Sequence, residues 1–333
     1  MYKVEEIRRK SLEIAKNRGI STEHIRFYWE DAGSETGASV RRNKEIISKI
    51  FFKQRIIHDV EPSTETEFFG VKVKTPIMIA PMRMMETYIE NGIPKMAAAA
   101  KETETILWMG APMPRGTTKD YIHLAPMVHI NKCNKDRELL LTRLREAEEC
   151  GCVGVGVDVD SSGGLRLEHR PINRSKLPWK PLSISELRAL RKEINVPFIV
   201  KGVLSVSDAR SAVEAGADAI VVSNHGGCNV DYSQAPFVVL PKIKEAVADK
   251  LDIYYDSQIR RGSDVLKALA LGAKGVLIGC TVVWAVFANG SEGIVTVIDT
   301  MTEDLKRAML YTGIESVENV SKDILVMPRD VFG

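Results

Sequence analysis

Short, nearly continuous apolar runs recur along this chain, separated by stretches of helical period. The runs are TPIMIA (75–80), TILWMG (105–110), HLAPMVHI (123–130), VGVGVDVD (153–160), PFIVKGV (197–203), AIVVSNHG (219–226), DIYYDS (252–257) and GVLIGC (275–280). Runs of this length, rich in Val and Ile, are what strands covered on both faces look like. Residues 135–150, 183–194, 205–216 and 262–272 carry the helical pattern. Several of these end in glycine, as in AEECG, VEAGA and ALGA, which suits a helix C-terminus.

Eight strand–helix units predict an α/β protein built as a (β/α)8 TIM barrel. A doubly wound sheet is the alternative, but G-x-G-x-x-G is expected after its first strand. GCVGVG has the wrong spacing and lies inside a strand, where its glycines are expected to relieve crowding in the barrel interior. Residues 1–333 read as one domain. Within it, 1–70 form an N-terminal extension of one or two helices, with FFGVKV as a short strand capping the barrel bottom. Residues 71–300 form the barrel, and 301–333 a C-terminal helix and tail.

Composition narrows the function. A formal charge of +2 supplies no strong field, and the pairs Arg41-Arg42 and Arg260-Arg261 are too short for a nucleic-acid patch, so neither nucleic acid nor membrane is expected as a partner. The apolar runs, about 6–8 residues each, are too short to span a bilayer. The first residues, MYKVEEIRRKSLEIAKNRG, are charged and amphipathic and do not read as a secretory signal. Five cysteines make no even framework, and Cys150 and Cys152 are spaced C-x-C, so reduced thiols in a cytoplasmic protein are expected. No H-x-x-x-H or similar spacing suggests a metal.

In barrel enzymes the active site lies at the C-terminal ends of the strands. Here the fourth run ends in Asp158 and Asp160, the fifth in Lys201, the sixth in Asn224 and His225, the seventh in Asp256 and the eighth in Gly279. Ionisable groups thus gather at one rim. The seventh strand continues as DSQIRRGSDVLKALALGA, a small-polar turn, arginines and a helix start, which suits a phosphate.

At these residues the chain resembles the FMN-dependent α-hydroxy-acid oxidase and dehydrogenase family, the glycolate and lactate oxidases. The likeness runs from FYWEDAGSE and RNKEIISKIFFKQRIIHDV through TPIMIAPM, FIVKGVLSVSDARSAVEAGADAIVVSNHGG and RRGSDVLKALALGAKGVLIG. It implies FMN as cofactor and His225 as the base that takes a proton from the substrate. It implies Asp158 as the carboxylate paired with that base, and Lys201 as the cation near flavin N1 and O2. Pro81, Met82 and Arg83 correspond to the loop against the flavin ring, and Gly110 and Gly156 to positions along the ring edge. Ser223 joins the cofactor set. Asp256 corresponds to the residue on the ribityl chain, with Ser257, Gln258, Arg260, Gly279 and Cys280 around the phosphate. The family's assemblies imply a homo-oligomer, tetramer or larger.

The departures are as informative. The family's S-N-H-G-G-R ends here in Cys228, and a thiol cannot make an arginine's bidentate contact with a carboxylate. A second family arginine falls near SSGGLRLEH, where Leu165 takes its register and Arg166 or Arg170 could substitute. The family's N-terminal tyrosine falls at Trp29, beside Tyr28, and another falls near Asn131 or Lys132. In the phosphate turn Ser257 and Gln258 replace two glycines, and Cys280 replaces an arginine. His129, at the end of the third run, is a candidate to face flavin or substrate; Trp108 and Trp179 read as packing residues.

These residues together predict an FMN-dependent oxidoreductase. It would oxidise a C–H bearing a hydroxyl or amine, on a substrate other than a simple small 2-hydroxy acid. Trp29, Cys228, His129 and Arg166 are its expected substrate contacts. The alternatives are a barrel with lost redox activity, acting as a binding or scaffold protein, and a flavin-using isomerase.

Overall fold

The computed structural model describes residues 3–30, 33–82, 85, 89–110, 117–162 and 178–328. The N-terminal extension holds three helices rather than one or two: α1 (Lys3–Asn17), α2 (Thr22–Tyr28) and α3 (Ala38–Lys49). A two-residue strand, β1 (Phe51–Phe52), and an antiparallel hairpin, β2 (Thr66–Phe68) and β3 (Val71–Val73), follow. The predicted single strand FFGVKV is therefore a hairpin, turned by Phe69 and Gly70, both at positive φ. Its Phe68 is fully buried and meets Tyr254 edge-on at 5.5 Å, so the hairpin does plug the barrel floor.

The eight predicted strands are all present: β4 (Ile77–Met82), β5 (Leu107–Gly110), β6 (Met127–Lys132), β7 (Gly154–Asp158), β8 (Phe198–Val203), β9 (Ala219–Val222), β10 (Asp252–Tyr255) and β11 (Gly275–Ile278). They close into one barrel, and every pairing within it is parallel. Inside it, Met78, Trp108, Val128, Ile130, Ile199, Val221, Tyr254 and Leu277 form the packed centre. Gly156 relieves the expected crowding: a Cβ there would stand 2.1 Å from the carbonyl oxygen of Ile199, its register partner on β8.

Helices clothe the barrel: α4 (Gly92–Glu102), α5 (Thr117–Tyr121), α6 (Arg137–Glu149), α7 (Ile184–Lys192), α8 (Val206–Ala215), α9 (Pro236–Val247), α10 (Gly262–Ala270) and α11 (Cys280–Thr312). Local chemistry sets their ends. Ser183 and Glu186 form a capping box at α7, and Gly216, at φ 85°, ends α8 as the VEAGA pattern predicts.

The C-terminal helix expected from residue 301 instead starts at Cys280, directly after β11, and is broken at Gly290 (φ 60°). It is long and apolar enough, by length and composition, to cross a membrane, which the short runs had not suggested. Here it packs against α1, α4 and α10, with Trp284, Ile294, Val297 and Met301 buried. Beyond it, β12 (Leu325–Val326) pairs with β1, tying the tail to the N-terminal extension.

Candidate active site

A cavity of about 470 Å³ opens at the C-terminal rim, within the range of small-molecule sites. Pro81, Met82, Gly110, Asp158, Lys201, His225, Cys228, Asp256, Ser257, Gln258, Arg260, Gly279 and Cys280, all expected at the site, line it. Tyr28, Ile130, Lys132 and Trp179 line it too. A more open groove of about 520 Å³ between α3 and the start of α9 holds Arg41, Arg42 and Tyr232. None of the rim's ionisable groups lies there, so the chemistry belongs to the barrel mouth.

His225 sits in a short 3-10 turn after β9, with φ at 53°, a left-handed conformation uncommon outside glycine. Several bonds hold it there. The His225 N–H donates to Ser223 Oγ at 3.0 Å, and the next N–H, of Gly226, donates to Ser257 Oγ at 3.1 Å. The preceding Asn224 exchanges two amide hydrogen bonds with Asn43 of α3, at 3.0 and 3.1 Å. Asp231, further along the loop, accepts from the backbone N–H groups of Thr36 and Ser39 and so caps α3.

The carboxylate nearer His225 is Asp160, not Asp158 as the resemblance implied. His225 Nδ1 lies 3.1 Å from Asp160 Oδ1 and 4.0 Å from Asp158 Oδ2. Asp158 ends β7 in register with Lys201, and its side chain meets Ser161 Oγ at 2.9 Å and Lys132 Nζ at 3.5 Å. Asp160 follows two residues later, where the chain has left the strand and reaches the histidine. The two carboxylates divide the charge. Burial and the Asp158 charge push Asp160 up, to about 6. Burial would raise Asp158 as well, but hydrogen bonding with Asp160 and the charges of His225, Lys201 and Lys132 hold it well below the usual carboxylate range. One donor atom from each of Asp158, Asp160 and His225 falls within 4.8 Å of the others, a cluster that spacing along the chain does not reveal. Lys132 and Lys201 supply positive charge beside it.

Lys201, 3 % exposed, meets Asp256 Oδ2 at 3.0 Å and Ser223 Oγ at 3.4 Å. Burial opposes its charge, but Asp256, Asp160 and Asp158 outweigh it and raise its proton affinity. In the turn after β10, Ser257 and Gln258, where the resemblance places glycines, take left-handed backbone at φ 90° and 62°. Ser257 Oγ donates to Asp256 Oδ1 at 2.9 Å while accepting from Gly226. Arg260 stacks its guanidinium 4.8 Å over Trp284, and the N-terminus of α11 starts at Cys280 on the cavity wall.

This donor set fits FMN. Gln258 Oε1 is buried without a hydrogen-bond partner among the described residues, an acceptor that a polyhydroxylated chain would satisfy. The buried Lys201 cation, the arginine and the helix start suit an electron-rich ring edge and a phosphate.

Two expected substrate contacts lie elsewhere. Trp29 is 1 % exposed, donates its indole N–H to Ser11 Oγ at 2.7 Å and packs edge-on to Phe287; Tyr28 takes the cavity wall instead. His129 is in the middle of β6, where Val128, Ile130 and Lys132 point inward, so its side chain faces the helical layer. Burial, with the nearby Arg143 charge, lowers its pKa to about 4. Arg83 and Arg166 lie outside the described residues. Trp179, read from the sequence as a packing residue, lines the cavity instead. The sequence places Asp160 at the rim without a role and Lys132 only near the position of a family tyrosine, although both follow inward-facing positions of their strands by twos.

A parallel barrel with a buried lysine, a histidine–carboxylate cluster and a phosphate-type helix start along one rim defines a flavin-type oxidoreductase. The chain belongs to the FMN-dependent dehydrogenase family, whose model matches residues 18–182 and 173–327. It is 30 % identical to glycolate oxidase 1 of Oryza sativa subsp. indica over 326 residues, 87 % of this chain and 88 % of that one. Against the glycolate oxidase of Spinacia oleracea it is 29 % identical over 334 residues, 90 % of each chain. A crystal structure of mandelate oxidase superposes with a TM-score of 0.88 at 27 % identity, over 98 % of both chains. A mandelate oxidase mutant with a C4a-OH-FMN adduct gives a TM-score of 0.86 at 28 % identity, over 97 % of this chain and 98 % of that one. The protein is an FMN-dependent enzyme of the α-hydroxy-acid oxidase and dehydrogenase type.

Proposed function

We propose that the protein oxidises a carbon bearing a hydroxyl, or an amine, on a substrate bulkier than glycolate or lactate. The carrying observation is Cys228 on the cavity wall, three residues after the base, where the resemblance requires a carboxylate-gripping arginine. The apolar Tyr28, Met82, Ile130 and Trp179 beside it suit a larger body, as does similarity to mandelate oxidases.

FMN, when bound, supplies the two-electron acceptor. Pro81, Met82 and Gly110 would hold its ring, Lys201 its electron-rich edge, Asp256, Ser257 and Gln258 its ribityl chain, and Arg260, Gly279 and Cys280 its phosphate. Asp160 faces His225 Nδ1, so Nε2 is the nitrogen free to take a proton from the substrate. The Asp158 carboxylate, 4.0 Å away, stabilises the imidazolium that forms. The five cysteines, which the structure holds as thiols, suit a reducing compartment such as the cytoplasm. Exposed Phe51, Ile57 and Val326 support assembly into a homo-oligomer, which light scattering would size.

The test is anaerobic mixing with a panel of 2-hydroxy acids of increasing bulk, watching flavin absorbance. Bleaching that persists until an acceptor is added, fastest for bulky members and abolished in His225→Ala, is expected. Turnover of lactate or glycolate as fast as any bulky member, or undiminished bleaching in His225→Ala, overturns the reading. Absence of bleaching with substrate conversion would indicate an isomerase instead.

A further inference from the structure

We infer that Lys132 is the residue that binds the substrate's acid group, as a single carboxylate. The inference rests on the hydroxy-acid reading above and names how that site holds its substrate.

Among the described residues, three cations line the cavity: Lys132, Lys201 and Arg260. Two are engaged. Lys201 is paired with Asp256 at 3.0 Å, and Arg260 lies over Trp284 and donates to the carbonyl of Ile259 at 3.1 Å. Lys132 differs. Its side chain is 13 % exposed, yet its one hydrogen bond among the described residues is to Asp158 Oδ2 at 3.5 Å, the long limit of such a contact. The Trp179 ring, 5.3 Å from Nζ, offers a cation–π face but no further acceptor of the ordinary kind. An ammonium carries three donors, and one this largely enclosed by protein has few water partners to satisfy them. A carboxylate in the cavity would complete the set.

The position suits the chemistry. Lys132 ends β6 beside Asp158, and Asp158 is 4.0 Å from the base, so Nζ and His225 Nδ1 are no further apart than these two legs combined. In a 2-hydroxy acid the carboxylate is bonded directly to the carbon that loses hydrogen. An acid group on Lys132 therefore brings that carbon toward the histidine. The neighbouring Asp158 and Asp160 select for a monoanion over a phosphate dianion. An ammonium grips as a point charge without the fixed fork of arginine, so it demands less of the substrate's orientation. This is how the cavity can take a hydroxy acid although Cys228 has no charge.

The experiment is equilibrium binding to the FMN-loaded protein, read by perturbation of the flavin spectrum. The probes are phenylacetate, which has no hydroxyl to oxidise, and its neutral analogue phenylacetamide. Wild type should bind phenylacetate more tightly than the amide. Lys132→Met should weaken phenylacetate binding roughly 10- to 100-fold, the effect of one charge-assisted hydrogen bond, and leave the amide unchanged. Lys132→Arg should keep most of the preference. If Lys132→Met does not retain FMN, Lys132→Gln serves under the same criterion. Equal affinity of wild type for acid and amide, or an unchanged phenylacetate affinity in the neutral variant, overturns the inference. Wild type that binds phenylacetate through Lys132 but is never bleached by hydroxy acids would sink the proposed reaction and leave this subsite standing.

Discussion

Asn43 of the N-terminal extension and Asn224 of the barrel hold each other by a reciprocal pair of amide hydrogen bonds, one residue before His225. Both side chains are buried. The extension thus fixes the loop that carries His225 in its left-handed conformation. Asn43→Ala leaves the Asn224 amide under-satisfied and should cost about 1–3 kcal/mol of stability. Urea unfolding measures that cost. Turnover should fall more than substrate affinity, because the displaced group is His225, the proposed base.

The Asp158–Asp160 pair makes stability depend on pH. Asp160 in the folded protein titrates near 6, above its ordinary value of 3.8. Between those values the folded state binds the extra proton, so this group's contribution is full below about 4 and is lost as pH rises through about 6. Asp160→Asn removes that loss. The stability difference, variant minus wild type, should therefore grow in the variant's favour from pH 4.5 to pH 7.5, as denaturant midpoints would show. Catalysis should respond differently. An ionised Asp160 accepts from Nδ1–H and leaves Nε2 as base, so kcat/KM should rise with pH through the same range.

Ser257 and Gln258 hold backbone conformations that favour glycine. Gln258→Gly relieves that strain, about 1 kcal/mol, and removes an acceptor that has no partner among the described residues. It should raise the denaturation midpoint of the cofactor-free protein. Ser257→Gly gains the same relief but loses the hydroxyl that joins Asp256 to the Gly226 N–H, so it should be neutral or destabilising.

Cys228→Arg places a bidentate donor on the cavity wall. It should raise kcat/KM for lactate roughly 10- to 100-fold, since one charge-assisted contact is worth about 1.5–3 kcal/mol. Steady-state kinetics on lactate and on a bulkier acid, side by side, would check that the gain favours the smaller substrate.

The barrel was legible because its strands are covered on both faces, and burial leaves a mark in each run of Val and Ile that no partner strand is needed to read. The ionisable residues that close those runs marked the rim for the same reason, since few polar groups are tolerated there without a purpose. Errors arose where a side chain's direction mattered. His129 and Lys132 belong to one strand, three residues apart, and a period of two sends them to opposite faces. Trp29 and Tyr28 are adjacent on a helix end, and packing against Phe287 decided which one turned inward.

By itself, then, the sequence determined the alternation of strands and helices, the edge that carries the chemistry, and the presence of His225, Lys201 and Cys228 along it. Those are properties of composition and order. The tertiary structure alone decided that Asp160 rather than Asp158 meets His225, that the N-terminal extension clamps its loop, and that Lys132 stands in the cavity with one long hydrogen bond among the described residues. These depend on distances between segments far apart in the chain, and barrel closure and helix packing set such distances to tenths of an ångström, which local patterns do not encode.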